Sequence, residues 1–190
     1  KDFEEIDVEQ AIANLKEGIP VPVVFTTRAV REGGFFAGTE QERLQILELG
    51  IKSEVSFVDL ELSIEKKSRD KLVKLASSSN CQVIASIHET KATPSAEEIV
   101  TMVRDNSSQG DIVKFCSNVS SHQDALQIFQ AANSLVGQDS THSLMGLGNG
   151  GDWVRLHAPV LEQAIVYATM MNNFRLSDLS LIHISEPTRL

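Results

Sequence analysis

CQVIASIHETKATPSAEEIVTMVRDNSSQGDIVKFCSN, residues 81–118, holds two short apolar runs with a capped helix pattern between them. Gln82-Val83-Ile84-Ala85-Ser86-Ile87 leads into His88, and Asp111-Ile112-Val113 leads into Lys114, with Phe115 and Cys116 behind it. Between the runs, Pro94 precedes Ser95, and Ser95 with Glu98 has the spacing of a capping box opening a helix to Arg104. Strand, helix, strand, with a reactive group delivered near the C-terminal end of each strand, is how an α/β barrel presents an active site. A lone lysine in such a run is also a candidate for imine chemistry.

The same alternation extends in both directions. Residues 5–17 carry a helical stripe (Ile6, Val8, Ala11, Ile12, Leu15), with Asp7 and Gln10 at capping distance and Gly18 and Pro20 as terminators. Thr39 with Glu42 opens a second helix bearing Leu44, Ile46, Leu47 and Leu49; Ser68 to Ser78 reads as a third; Ser121 with Asp124 opens another bearing Ala125, Leu126, Ile128, Phe129 and Ala132. Strands are expected near 21–27, 55–62, 82–88, 111–116, 141–145 and 164–168. Short connections between alternating strands and helices imply a parallel sheet covered by helices.

The chain has 190 residues, 42% hydrophobic and 23% charged, an ordinary globular composition. A net charge of −9 argues against nucleic acid or anionic membrane as the main partner. Cys81 and Cys116 sit in or beside apolar runs and read as reduced core residues of a cytoplasmic protein. No apolar run approaches the ~20 residues that span a bilayer. No Cys/His cluster has metal-ligand spacing, so neither metal nor cofactor is expected. The glycine-rich loop at 146–151 lacks the Gly-Lys-Ser/Thr ending of a P-loop and reads as a mobile loop.

Each candidate residue has a bland alternative. Lys114 alone reads more often as a strand-edge lysine reaching solvent; pointed into a barrel, its amine becomes available to a carbonyl. His88 alone is more often a hydrogen-bonded core histidine, although an imidazole suits proton transfer at neutral pH. Glu32 is a loop acid or a carboxylate that orients the imidazole. Arg28 and Arg155 are surface ion-pairing residues or donors that hold a carboxylate or hydroxyls. Asp59 and Glu61 alternate in one strand, and one of them reads as a polar core residue rather than a catalyst. What favours function is joint: Arg28, His88, Lys114 and Met145 all fall at or near the C-terminal ends of successive expected strands.

At this point the sequence resembles type I 3-dehydroquinate dehydratase, a shikimate-pathway enzyme. The matching pieces stand in the family's order: Phe25-Thr26-Thr27-Arg28 with Glu32-Gly33-Gly34, Val58-Asp59-Leu60-Glu61-Leu62, Ala85-Ser86-Ile87-His88 with Thr93-Pro94, Asp111-Ile112-Val113-Lys114, and Met145-Gly146 with Arg155. They cover roughly residues 20 to 168. The resemblance implies a (β/α)8 TIM barrel, with about six of its eight βα units in this chain. It implies a Schiff base between Lys114 and the C3 ketone of 3-dehydroquinate. His88 would act as general acid and base, with Glu32 paired to it. Arg28 and Arg155 would hold the small-molecule substrate, and Met145 and Tyr167 would pack on its ring. The resemblance allows a homodimer.

Several positions depart from the family pattern. Two family strands that precede the one ending at Arg28 have no counterpart, including a Glu and an Arg of the site. The family's Ser-Arg reads Val154-Arg155, its Pro-Gly-Gln loop reads Asn173-Phe174-Arg175, and Glu89 follows His88 where many members have Asp. Leu179 to Arg189 resembles a translated sequencing-library adapter. The expected organisation is therefore a partial barrel domain over 1–178 and a non-native tail over 179–190, with the natural protein continuing differently after Asp178. Such a piece would expose unpaired strand edges and fold weakly. The competing functions are a lysine-imine aldolase on the same barrel and an inactive barrel fragment serving as a binding surface.

Overall fold

The computed structural model describes residues 7–18, 21–148 and 150–167. Its elements run α1 (Val8–Gly18), β1 (Val24–Phe25), α2 (Glu40–Lys52), β2 (Phe57–Glu61), α3 (Lys66–Ser78), β3 (Gln82–Glu89), α4 (Ala96–Asp105), β4 (Ile112–Asn118), α5 (His122–Leu135), β5 (His142–Leu147) and α6 (Trp153–Leu156), with a 3-10 turn at Val30–Glu32. The strands form one parallel five-stranded sheet in the order β1-β2-β3-β4-β5, with Val24 opposite Phe57 and Asp59 opposite Ile84. The expected α/β alternation is what the chain adopts.

Helix starts follow the cap chemistry. Thr39 accepts from the Glu42 N–H at 3.2 Å while the Glu42 carboxylate accepts from the Thr39 N–H at 2.7 Å, and Ser121 with Asp124 repeats the arrangement. The Ser95–Glu98 pair closes in the same reciprocal way ahead of α4. At α1 only half the box forms: Asp7 accepts from the Gln10 N–H, but the Gln10 side-chain amide donates to Asn14 instead. Helix α3 starts earlier than the expected Ser68, because the Glu65 side chain caps it by accepting from the Ser68 N–H at 2.9 Å.

Two strand expectations change. Instead of 21–27, β1 is confined to Val24–Phe25. Pro22 has no N–H to give, the Val23 N–H goes to the Ser56 hydroxyl, and the Thr27 carbonyl is taken by the Arg43 side chain. The expected strand at 164–168 does not form over 164–167, and residue 168 lies outside the described residues. The Ala164 N–H donates to the His142 carbonyl, but side chains occupy neighbouring ladder positions. Gln163 Oε1 accepts from the Leu144 N–H, and the Ser143 hydroxyl donates to the Ile165 carbonyl. Residues 173–175 and the expected tail, 179–190, also lie outside the described residues.

The chain divides into two compact units, one within Lys1–His88 and Asp105–Lys114, the other within Glu89–Arg104 and Phe115–Leu190. In the first, Ile12, Leu47, Ile51, Val58, Leu60, Ile64, Leu72, Ala76 and Val83 form a continuous apolar cluster. Successive strand residues point to opposite faces. Val58 and Leu60 therefore enter that cluster while Asp59 and Glu61 face the other way, and both faces are buried. Register puts Asp59 level with Ile84 and Glu61 level with Ser86, so Asp59, Glu61, Ser86 and His88 share one face. In the second unit, α5 and α6 pack on β5; His122 stacks on Trp153 and Phe129 meets His157 edge-on. Both cysteines are buried and outside any disulfide, and burial, reinforced by Asp111, pushes the Cys81 thiol up to about 11. Among the described residues no helix is long and apolar enough to cross a membrane.

Candidate active site

In the first unit, four sequence-predicted residues converge. Lys114 stands mid-strand in β4 rather than at its end, and His88 is the penultimate residue of β3. Their side chains meet with Lys114 Nζ 3.4 Å from His88 Nε2. The other imidazole nitrogen, Nδ1, lies 2.7 Å from Glu32 Oε2. Glu32 closes the 3-10 turn after β1, and its Oε1 accepts from the Ser63 hydroxyl. Burial alone would raise the Glu32 carboxyl, but the bonds from His88 and Ser63, with Arg28 nearby, hold it below the ordinary carboxylate range. A carboxylate only accepts, so Nδ1 carries the imidazole proton and Nε2 presents its lone pair to Lys114 Nζ.

Burial pushes the His88 imidazole below its usual value; Glu32 opposes the shift, and Lys114 and Arg28 add to it. His88 therefore stays neutral at neutral pH, the form a general base requires.

In the sequence Asp59 and Glu61 form an alternating pair with one member expected to be a polar core residue. Instead both acids are buried in a single ion network. Asp59 Oδ2 accepts from Lys114 Nζ at 3.0 Å and from Arg28 Nη2 at 2.7 Å, while Oδ1 accepts from the Ser86 hydroxyl at 2.5 Å. Burial would raise its pKa, but Lys114, Arg28 and the Ser86 bond outweigh it and hold the carboxyl at about 2. Glu61 Oε1 accepts from Arg28 Nη1 at 3.1 Å and from the Ala29 N–H at 3.0 Å, and its Oε2 pairs with Arg43. Arg28 Nη1 also donates to Ser86 at 3.0 Å. Both terminal nitrogens of Arg28 thus order carboxylates and a hydroxyl before any substrate is considered.

Asp59, Ser86, Glu61, Ser63 and Arg43 are the polar residues here that sequence reasoning did not place at the site. Acids alternating through an apolar run were the one available signal. Met145, Arg155 and Tyr167 belong to the second unit. Met145 is buried in β5, Arg155 is buried in α6, where burial lowers its pKa, and Tyr167 is half-buried in the segment after α6.

Gly33 and Gly34 turn the chain back over Arg28. Gly33 has φ of 81°, and a Cβ on Gly34 would lie 2.1 Å from the Arg28 carbonyl oxygen. Gly34→Ala is therefore expected to displace Arg28 and to destabilise the protein by about 1–3 kcal/mol. A urea midpoint equal to that of the parent would contradict this.

The pH dependence of stability follows from the same shifts. Glu32 and Asp59 have lowered folded pKa values, so their contributions are full above the unfolded range near ~4 and are lost as pH falls, for Asp59 through about 2. His88 is also lowered, so its neutral burial favours folding above the unfolded value near ~6.5 and costs stability below it. All three have the same sign. Urea stability is expected to fall from about pH 7 to about pH 5 and more steeply toward about pH 3; a flat profile would refute the network.

A family model of type I 3-dehydroquinase matches residues 1–186. The chain is 30% identical over 157 residues to a 3-dehydroquinate dehydratase of Methanococcus maripaludis, spanning 83% of this chain and 71% of that one. It is 32% identical over 162 residues to one from Methanothermobacter thermautotrophicus, spanning 85% and 69%. Among solved structures, the type I 3-dehydroquinate dehydratase of Clostridium difficile superposes with a TM-score of 0.83 at 23% identity, over 92% of this chain and 70% of the other, a likeness of fold. With that match over nearly its whole length, the chain belongs to the type I 3-dehydroquinase family.

Proposed function

We propose that this protein dehydrates 3-dehydroquinate to 3-dehydroshikimate, a lyase reaction of the shikimate pathway, through a Schiff base on Lys114 with His88 as general acid and base. The observation that carries this reading is the chain of contacts from Lys114 Nζ to His88 Nε2 and from Nδ1 to Glu32. A nucleophilic amine, a neutral base beside it and a carboxylate that fixes the base's tautomer form the arrangement activated nucleophiles need.

Lys114 passes one proton to His88 Nε2, 3.4 Å away, and its freed lone pair attacks the C3 carbonyl; that proton, returned by His88, and one from the nitrogen leave with the oxygen as water, giving a protonated imine. His88 Nε2 then removes a proton from C2, and the C–H electron pair moves into the imine to give a neutral enamine. Collapse of the enamine expels the C1 hydroxyl as water, with the proton returned by His88. Hydrolysis frees the product and Lys114. Glu32 steadies the imidazolium formed between the two proton transfers. Arg28 orders the carboxylates around Lys114; for Arg155, Met145 and Tyr167 a role on the substrate rests on the family resemblance alone.

The test combines two readouts on the protein. Incubation with 3-dehydroquinate is expected to generate a conjugated enone absorbance. Borohydride added during turnover is expected to fix the substrate to Lys114, identified by peptide mass. Turnover with label on another residue, or on none, would overturn the imine assignment.

A further inference from the structure

We propose that Asp59 is a catalytic residue whose Oδ2 serves as the counter-ion of the iminium formed on Lys114 Nζ. This rests on the Schiff-base reading above and adds a residue to it.

Geometry carries the inference. Asp59 Oδ2 lies 3.0 Å from Nζ, and both side chains are buried. Nζ keeps its place on its tether when it changes from amine to iminium, so the nitrogen that gains the charge already touches the carboxylate. The carboxylate is also fixed in advance: Ser86 holds Oδ1, and Arg28 and Lys114 converge on Oδ2. Preorganised charge of this kind stabilises developing charge without reorganisation at the moment of reaction. The other acids facing this cluster have other partners. Glu61 is bracketed by Arg28, Arg43 and the Ala29 N–H, and Glu32 by His88 and Ser63.

The charge changes during the reaction show why the sharing of Oδ2 matters. Attack by the Lys114 nitrogen, once it has passed one proton to His88, forms the N–C bond, and the carbonyl oxygen leaves as water with that proton and one from the nitrogen. The iminium then carries one positive charge next to Oδ2. When His88 takes the C2 proton, the C–H pair neutralises that charge. An unshared carboxylate would hold the iminium too well and oppose enamine formation. Arg28, 2.7 Å from the same oxygen, draws part of the carboxylate's charge and keeps the imine an effective electron sink. Asp59 itself exchanges no proton; its carboxyl, held at about 2, stays ionised throughout.

The experiment compares the whole protein with Asp59→Asn and Asp59→Glu. Each is incubated with 3-dehydroquinate and cyanoborohydride, which reduces the protonated imine, from about pH 6 to about pH 9, and the Lys114 adduct is quantified by mass. The parent is expected to trap steadily across the range, because the counter-ion keeps the imine protonated. Asp59→Asn is expected to trap on the order of 100-fold more slowly at neutral pH, with a further decline as pH rises. Asp59→Glu is expected to recover part of the loss. A purely structural role would lower trapping by the same factor at every pH and would overturn the proposal, as would an Asn variant that traps like the parent. Should the Asn variant lose its cooperative thermal transition, the parent profile decides, since trapping that collapses above neutral pH in the parent also overturns it. Enone formation by a parent that never traps would sink the Schiff base itself; a trapping parent with an unaffected Asn variant sinks only Asp59.

Discussion

Lys114→Ala is expected to lower turnover of 3-dehydroquinate on the order of 10⁶-fold, the scale seen when a covalent nucleophile is removed from an enzyme that works as a unit. The barrier being lowered is loss of a proton from carbon, and without the imine there is no electron sink to receive the C–H pair. His88 and Glu32 would still be present, but a base beside an unactivated ketone supplies only a small part of the effect. The fold should survive the change. Asp59 would keep the Arg28 guanidinium on Oδ2 and the Ser86 hydroxyl on Oδ1, so its carboxylate is not left alone in the interior. The stability cost is expected to be about 1–3 kcal/mol, that of one lost partner in a network that is still satisfied. Steady-state rates paired with urea titrations separate the two effects. Turnover within about tenfold of the parent in a folded Lys114→Ala protein would exclude covalent catalysis by this residue.

The sequence was informative where local patterning and chemistry coincide. Capping boxes at Thr39, Ser95 and Ser121 announced their helices because both halves of each reciprocal bond lie within four residues. Lys114, His88, Glu32 and Arg28 could be gathered because each interrupts or closes an apolar run or stands in a glycine-rich turn. What stayed hidden depended on distant pairing. Asp59 and Glu61, alternating with Val58 and Leu60, are indistinguishable in sequence from the solvated face of a half-buried strand. Only the register with β3, which puts Ser86 level with Glu61 and closes the second face, turns them into buried carboxylates. Arg43 was invisible for a related reason: an arginine in the first turn of a helix looks solvated until the strand beneath it is known to carry an acid. The apolar run at 164–168 showed the opposite failure. Its composition suits a strand, yet Gln163 and Ser143 supply from side chains the bonds a ladder would take from backbone.

Glu61→Ala is expected to be the most destabilising single substitution in the first unit, costing about 3–5 kcal/mol, because it removes the anion between the buried Arg43 guanidinium and the half-buried Arg28 guanidinium. Glu61 is only 1% exposed and Arg43 only 2%. Arg28 and the Ala29 N–H converge on one carboxylate oxygen and Arg43 on the other, so the residue ties the turn after β1 and the start of α2 to β2. Arg43 would retain Glu40 and the Thr27 carbonyl, and Arg28 would retain Asp59, which limits the loss to one charge partner for each. Even so, the Ala29 N–H and one face of each guanidinium would be left in a cavity the size of the missing side chain. Glu61→Gln keeps the volume but places an amide N–H₂ against a guanidinium on one side, and should fall between parent and alanine variant. Because Arg28 also holds Asp59 Oδ2 beside Lys114 Nζ, loosening it should lower turnover in the glutamine variant by more than its loss of stability explains. Urea unfolding of both variants and turnover of Glu61→Gln test this. An alanine variant within about 1 kcal/mol of the parent would mean that Arg43 and Arg28 reach solvent once Glu61 is gone, and that the network does not bind β1, α2 and β2 together.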